Sequence, residues 1–147
     1  MKTKIGLVAV FLLLILFVMN IERQEELYIN KLYIGDSQEW LIFYNANGRY
    51  IYVNQEKTQL EEKEAEVQFV LKYKGDYRQL ESVGLHYFDG GWGTSTQKGL
   101  IKEKDLVFHD NNPRFWLTRL RDKNEIDVEI TWCDGDDHKE IIRLKLQ

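Results

Sequence analysis

Ile126-Asp-Val-Glu-Ile-Thr-Trp-Cys133, then Asp134-Gly-Asp-Asp137, then His138-Lys-Glu-Ile-Ile-Arg-Leu-Lys-Leu-Gln147 ends the sequence and decides the fold. Ile126, Val128, Ile130 and Trp132 alternate with Asp127, Glu129, Thr131 and Cys133. Successive side chains of a strand point to opposite faces, so this pattern is a strand with one dry face. Asp-Gly supplies a reversal. Ile142, Leu144 and Leu146 then alternate with Arg143, Lys145 and Gln147. The segment reads as an antiparallel hairpin, dry on one side and wet on the other.

The same signal recurs upstream. Val67, Phe69, Leu71 and Tyr73 alternate with Gln68, Val70 and Lys72, and Lys74-Gly-Asp76 ends the run. Leu80, Val83, Leu85 and Tyr87 form another, closed by Asp89-Gly-Gly-Trp-Gly93. Trp40–Tyr44 and Arg49–Val53 flank Asn45-Ala-Asn-Gly48, where Asn-Gly suits a type I′ turn, so a hairpin is predicted there. Residues 56–64 read as a polar connector. Residues 99–108 hold one or two short strands, and Asn111-Asn-Pro113 is a turn. About seven short strands in about 110 residues predict an all-β domain, an antiparallel β-sandwich.

Ahead of that domain lies an apolar run. Thirteen of the seventeen residues from Ile5 to Ile21 are Leu, Ile, Val or Phe, and none is charged. Their summed insertion energy is about −4 to −8 kcal/mol as an upper estimate. As a helix the run is about 25 Å long, at the short end of what spans a bilayer. The expectation is a single N-terminal transmembrane helix acting as a signal anchor, with the lipid bilayer as its partner. Phe17-Val-Met-Asn-Ile-Glu22 lacks the small residues of a cleavage site, which disfavours the cleaved signal peptide, and a buried soluble helix is the third reading. Lys2 and Lys4 precede the run, which orients the N-terminus to the cytoplasm and everything after it outward. The expected organisation is a cytoplasmic head over 1–4, the anchor over 5–21, a stalk over 22–33 and an extracytoplasmic domain over 34–147.

Charge narrows the partners. Without Lys2 and Lys4, 18 of the 20 Lys and Arg remain, against all 24 Asp and Glu. An acidic domain is repelled by nucleic acid and by anionic headgroups. A cell-surface protein or a wall glycan is the partner class that remains. Cys133 is the only cysteine, so no intramolecular disulfide forms, a usage closer to a bacterial surface protein than to a disulfide-built secreted domain.

Two segments carry a family resemblance. Gly35-Asp-Ser-Gln-Glu-Trp40 resembles the Gly-Glu/Asp-Ser-x-x-Trp opening of small ectodomains on uncharacterised Firmicutes lipoproteins and membrane-anchored proteins. Ile130-Thr-Trp-Cys-Asp-Gly135 with Glu140-Ile-Ile-Arg-Leu144 is similar to their closing Ile-x-Trp hairpin. The resemblance spans about residues 33–147 and implies an immunoglobulin-like sandwich with no established activity. Many such proteins carry a lipidated cysteine after the signal; this chain has none there.

Candidate chemistry is sparse. Asp134, Asp136 and Asp137, beside His138 and Glu140, are the densest set of oxygen donors, read as turn chemistry or as a weak divalent-cation site. Trp92 in its glycine-rich loop reads as a residue folded on the domain edge or as a contact for a sugar or protein. That loop lacks the lysine of a phosphate-binding loop. Tyr44, Tyr50 and Tyr52 are either strand residues or an exposed aromatic contact patch. His86, His109 and His138 share no metal spacing, Ser37, Ser82 and Ser95 sit in no nucleophile elbow, and Cys133 has no partner signature. The expectation is a non-enzymatic interaction module with no cofactor, the alternative being a glycan- or divalent-cation-binding surface module.

Overall fold

The computed structural model describes residues 25–54, 56–57, 59–88, 92–98, 101, 103–109 and 119–147, with 62, 87–88 and 92–98 described by their backbone. Eight strands follow in order: β1 Glu26–Asp36, β2 Trp40–Tyr52, β3 Leu60–Tyr73, β4 Ser82–Phe88, β5 Trp92–Lys98, β6 Asp105–His109, β7 Glu125–Cys133 and β8 Asp137–Leu146. All pair antiparallel, in the order β5-β4-β7-β8-β1-β2-β3-β6. The all-β, antiparallel expectation holds. The residues expected to form the membrane helix, 5–21, lie outside the described residues. Among those described, no helix is long and apolar enough to cross a membrane.

The eight strands make one sheet whose two halves meet at a narrow seam. β1 pairs with β2 along its whole length, but it meets β8 only at Tyr33↔Leu146 and Ile34↔Lys145. In a flat sheet, β7 and β2 would lie three strand spacings apart, about 14 Å. Yet the Trp132 ring of β7 meets the Trp40 ring of β2 edge-on at 5.6 Å. The sheet therefore curls at the seam and buries its apolar face against itself. Trp40, Tyr33, Tyr44, Phe69, Leu85 and Ile130 are among the side chains that fill the interior.

The Gly35–Trp40 motif builds one edge of this corner. Gly35 faces β8, where an added Cβ would sit 2.2 Å from Leu144 Cδ2 and 2.9 Å from Ile142 Cγ2. Ser37 Oγ accepts from the Trp40 N–H at 3.1 Å and donates to Glu140 Oε2 at 3.1 Å. Lys74 Nζ pairs with Asp36 at 2.5 Å. The motif is a β1–β2 turn that locks the Trp40 backbone while its ring enters the core. On the inner face Lys31 donates to the Arg121 and Lys123 carbonyls at 2.7 and 2.9 Å, and the Tyr33 hydroxyl donates to the Lys123 carbonyl at 2.8 Å.

Three expectations are corrected; the third is the polar connector over 56–64, whose residues from Leu60 onward are strand β3. Asn47-Gly48 is not a turn: both residues lie inside β2, paired to Asn30 and Ile29 on one side and to Glu66 and Ala65 on the other. The inward alternation Trp40, Ile42, Tyr44, Ala46 runs straight through, and a strand paired on both edges outweighs a local turn preference. The reversal comes later, where the Val53 N–H donates to the Gln59 carbonyl, the Gln59 N–H to Asn54 Oδ1, and Lys57 takes φ +54°. The second correction is the stalk. Most of residues 22–33 is strand, with Ile29 and Tyr33 buried, so at most 22–25 separate the apolar run from the domain. The C-terminal hairpin is as expected, with Gly135 at φ +103° in its turn.

Gly35→Ala is expected to destabilise the fold by about 1–3 kcal/mol, since the seam must open to admit the methyl; urea unfolding measures it. Burial pushes the Tyr33 phenol up to about 12. A pKa raised in the folded state gives stability that is full below the unfolded value of about 10 and lost as pH rises through the folded one. Tyr33→Phe should flatten that alkaline loss in stability measured against pH.

Candidate functional site

Strand register builds a groove on the outer face of β1, β2 and β3. Tyr28, Arg49 and Glu64 pair across the three strands as one row; Asn30, Asn47 and Glu66 pair as the next. Between the rows run Ile29, Gly48 and Ala65. Ile29 is buried in the core and Ala65 packs against it, so their backbone is the groove floor. The trough so formed is about 560 Å³ and open to solvent. One residue is skipped between Arg49↔Glu64 and Tyr50↔Glu62, a bulge that breaks the ladder at the groove's edge.

One wall is electrostatically committed. Arg49 Nη2 meets Glu64 Oε1 at 3.0 Å and Arg49 Nη1 meets Glu26 Oε1 at 3.6 Å. The Tyr28 hydroxyl donates to Glu26 Oε2, and the residue is 65% exposed. The Glu64 carboxylate first, with Glu26 behind it, holds the Arg49 guanidinium above its ordinary value. The hydrogen bond to Glu26 does the same to the Tyr28 phenol. The other wall is uncommitted: among the described residues, the side chains of Asn30, Asn47 and Glu66 make no hydrogen bond or ion pair.

None of the residues expected from the sequence lines this groove. Tyr44 and Tyr50 are core residues, 1% and 2% exposed, and Tyr44 stacks on Phe69 at 4.1 Å. Tyr52 is half-buried. These three make no exposed tyrosine patch, because the face they share is the one the sheet folds inward. Trp92 opens β5 opposite Phe88, and its side chain lies outside the described residues.

The aspartate turn is also spent elsewhere. Asp134 Oδ1 accepts from His138 Nε2 at 2.7 Å and Oδ2 accepts from the Tyr73 hydroxyl at 3.0 Å. The His138 ring stacks on Trp132 at 5.0 Å. Asp136 and Asp137 are exposed in the turn and at the start of β8. Among the described residues no three His, Cys, Asp or Glu gather to hold a metal ion. The Asp134, Asp136, Asp137 set is therefore not assembled as a cation site: Asp134 instead ties β3 to the β7–β8 turn across the seam.

Cys133 is no activated nucleophile. A backbone hydrogen bond from Gly135 draws its thiol down, but burial and the Glu81 carboxylate outweigh it and hold the thiol above its ordinary range.

Groove residues Tyr28 and Asn30 fell in the supposed stalk and Asn47 in the supposed turn. The alternation of Leu27, Ile29, Lys31 and Tyr33 with Tyr28, Asn30 and Leu32 was the signal that would have made this a strand. Comparison with protein-family models, with curated proteins and with solved structures gives no match.

The hydrogen bond from His138 first, and that from Tyr73, hold the Asp134 carboxyl below its ordinary value. A depressed carboxyl gives stability present above the unfolded value, about 3.9, and lost as pH falls through the folded one. Asp134→Asn should therefore weaken the fold at neutral pH and lose less on acidification than the parent, read by urea unfolding across an acid pH series.

Proposed function

We propose that the chain is a membrane-anchored, outward-facing β module that contacts a partner through the outer groove without catalysing a reaction. The observation that carries this reading is the pair of cross-strand rows, Tyr28–Arg49–Glu64 and Asn30–Asn47–Glu66, set on three paired strands. Rigid strands carrying uncommitted polar groups suit recognition. Two charged groups of the domain are occupied within it: Asp134 by His138 and Tyr73, and Arg49 by Glu64 and Glu26.

The apolar run 5–21 behind Lys2 and Lys4 supports the anchor and the orientation. Since β1 begins at Glu26, the link after that run is four residues, about 14 Å at full stretch. The domain then rides close to the bilayer surface. The two facing halves of the curled sheet support an immunoglobulin-like sandwich packing. The Gly35–Trp40 and Ile130–Trp132 segments support kinship with the Firmicutes surface ectodomains that they resemble. Of the two alternatives, a glycan ligand gains from the groove and a divalent cation loses with the dispersed aspartates.

Full-length chain is expected in the membrane pellet after carbonate washing, released only by detergent, with its β domain digested by protease added to intact cells. Recovery in the soluble fraction, or protection from external protease, would remove the anchored, outward-facing reading.

A further inference from the structure

We infer that the outer groove takes an uncharged oligosaccharide, with about two sugar units lying across β1, β2 and β3. The inference rests on the groove being the contact site, and it names the ligand. Width comes first. The two rows are two residues apart along each strand, about 6.7 Å, and the outer strands are about 9.6 Å apart across β2. That is a slot one sugar ring wide and about two long.

Chemistry follows. Asn30 and Asn47 each offer an amide donor and a carbonyl acceptor, and Glu66 a carboxylate acceptor. Side by side in one row, with no protein partner among the described residues, they match the neighbouring hydroxyls of a sugar, each of which donates and accepts. The opposite wall presents the exposed Tyr28 ring, an apolar plate with its hydroxyl already donated to Glu26. Such a plate suits the C–H face of a pyranose. Arg49, braced by Glu64 and Glu26, keeps its guanidinium aimed along that wall.

Charge and floor exclude the rivals. Arg49 is matched by Glu64 and Glu26, so Glu66 leaves the groove negative, which repels phosphate-bearing or uronate polymers. Ile29 and Ala65 turn to the core, so the floor has no apolar pocket for a peptide side chain to anchor in.

The test uses isotope-labelled full-length protein in lipid nanodiscs, avoiding sugar-headed detergents, and follows the Asn30 and Asn47 side-chain amides by NMR. The probes are tetrasaccharides of glucose and of N-acetylglucosamine, a tetragalacturonate and a lysine-rich peptide. A neutral tetrasaccharide should shift both amides saturably and the tetragalacturonate should not. Asn47→Ala and Tyr28→Ala should each weaken binding at least about tenfold, and Lys139→Ala on β8 should leave it unchanged. No saturable shift with either neutral sugar, or a shift indifferent to Asn47→Ala and Tyr28→Ala, would overturn the inference. Shifts with the peptide alone would overturn it too while leaving the groove as a contact site. Sugar binding by a chain that failed the membrane fractionation would support the ligand assignment and sink only the anchor.

Discussion

A sheet with one apolar face has to hide that face, and here the sheet hides it against itself. The contact that makes this possible is the meeting of Trp40 and Trp132 across a seam only two residue pairs wide. Burying a tryptophan removes about 200 Å² from water, worth up to about 5 kcal/mol. The Trp40 indole N–H finds no acceptor among the described residues, a cost of about 1–3 kcal/mol. Burial wins that comparison. The polar bonds around the pair, Ser37 to Trp40 and Tyr73 to Asp134, set its position more than its strength.

The seam closes because Gly35 has no side chain. Leu144 and Ile142 occupy the volume a methyl would need, so β8 lies down on β1 at the corner where the halves turn toward each other. A short ladder permits the bend; a long one would have held the sheet flatter. The rest of the inner face then fills with Tyr33, Tyr44 and Phe69, stacked across β1, β2 and β3. Turning those aromatics inward leaves the opposite face of β1, β2 and β3 to polar residues. The groove is thus the outer consequence of the same alternation that builds the core.

Legibility followed the length and purity of the alternation. Ile126–Cys133, Ile142–Gln147 and Val67–Tyr73 alternate with period two, and they fall in strands at the expected places. Reading failed where polar groups sit on the inner face or turn formers sit in a strand. Lys31 interrupts the apolar series of β1 because it reaches the Arg121 and Lys123 carbonyls, an acceptor pair ninety residues away that no local pattern reveals. Asn47-Gly48 has the chemistry of a reversal, but hydrogen bonding on both edges holds it extended.

Sequence alone was enough for the strand class, the antiparallel closing hairpin with its Gly135 turn, and the apolar run ahead of the domain. All three depend on neighbours a few residues apart. Which tyrosines would be core, that Asp134 would be claimed by Tyr73, and that Tyr28 and Asn47 would share a groove were decided by tertiary structure. Each of those depends on register between strands far apart in the chain, and register emerges only when the whole sheet has found its buried face.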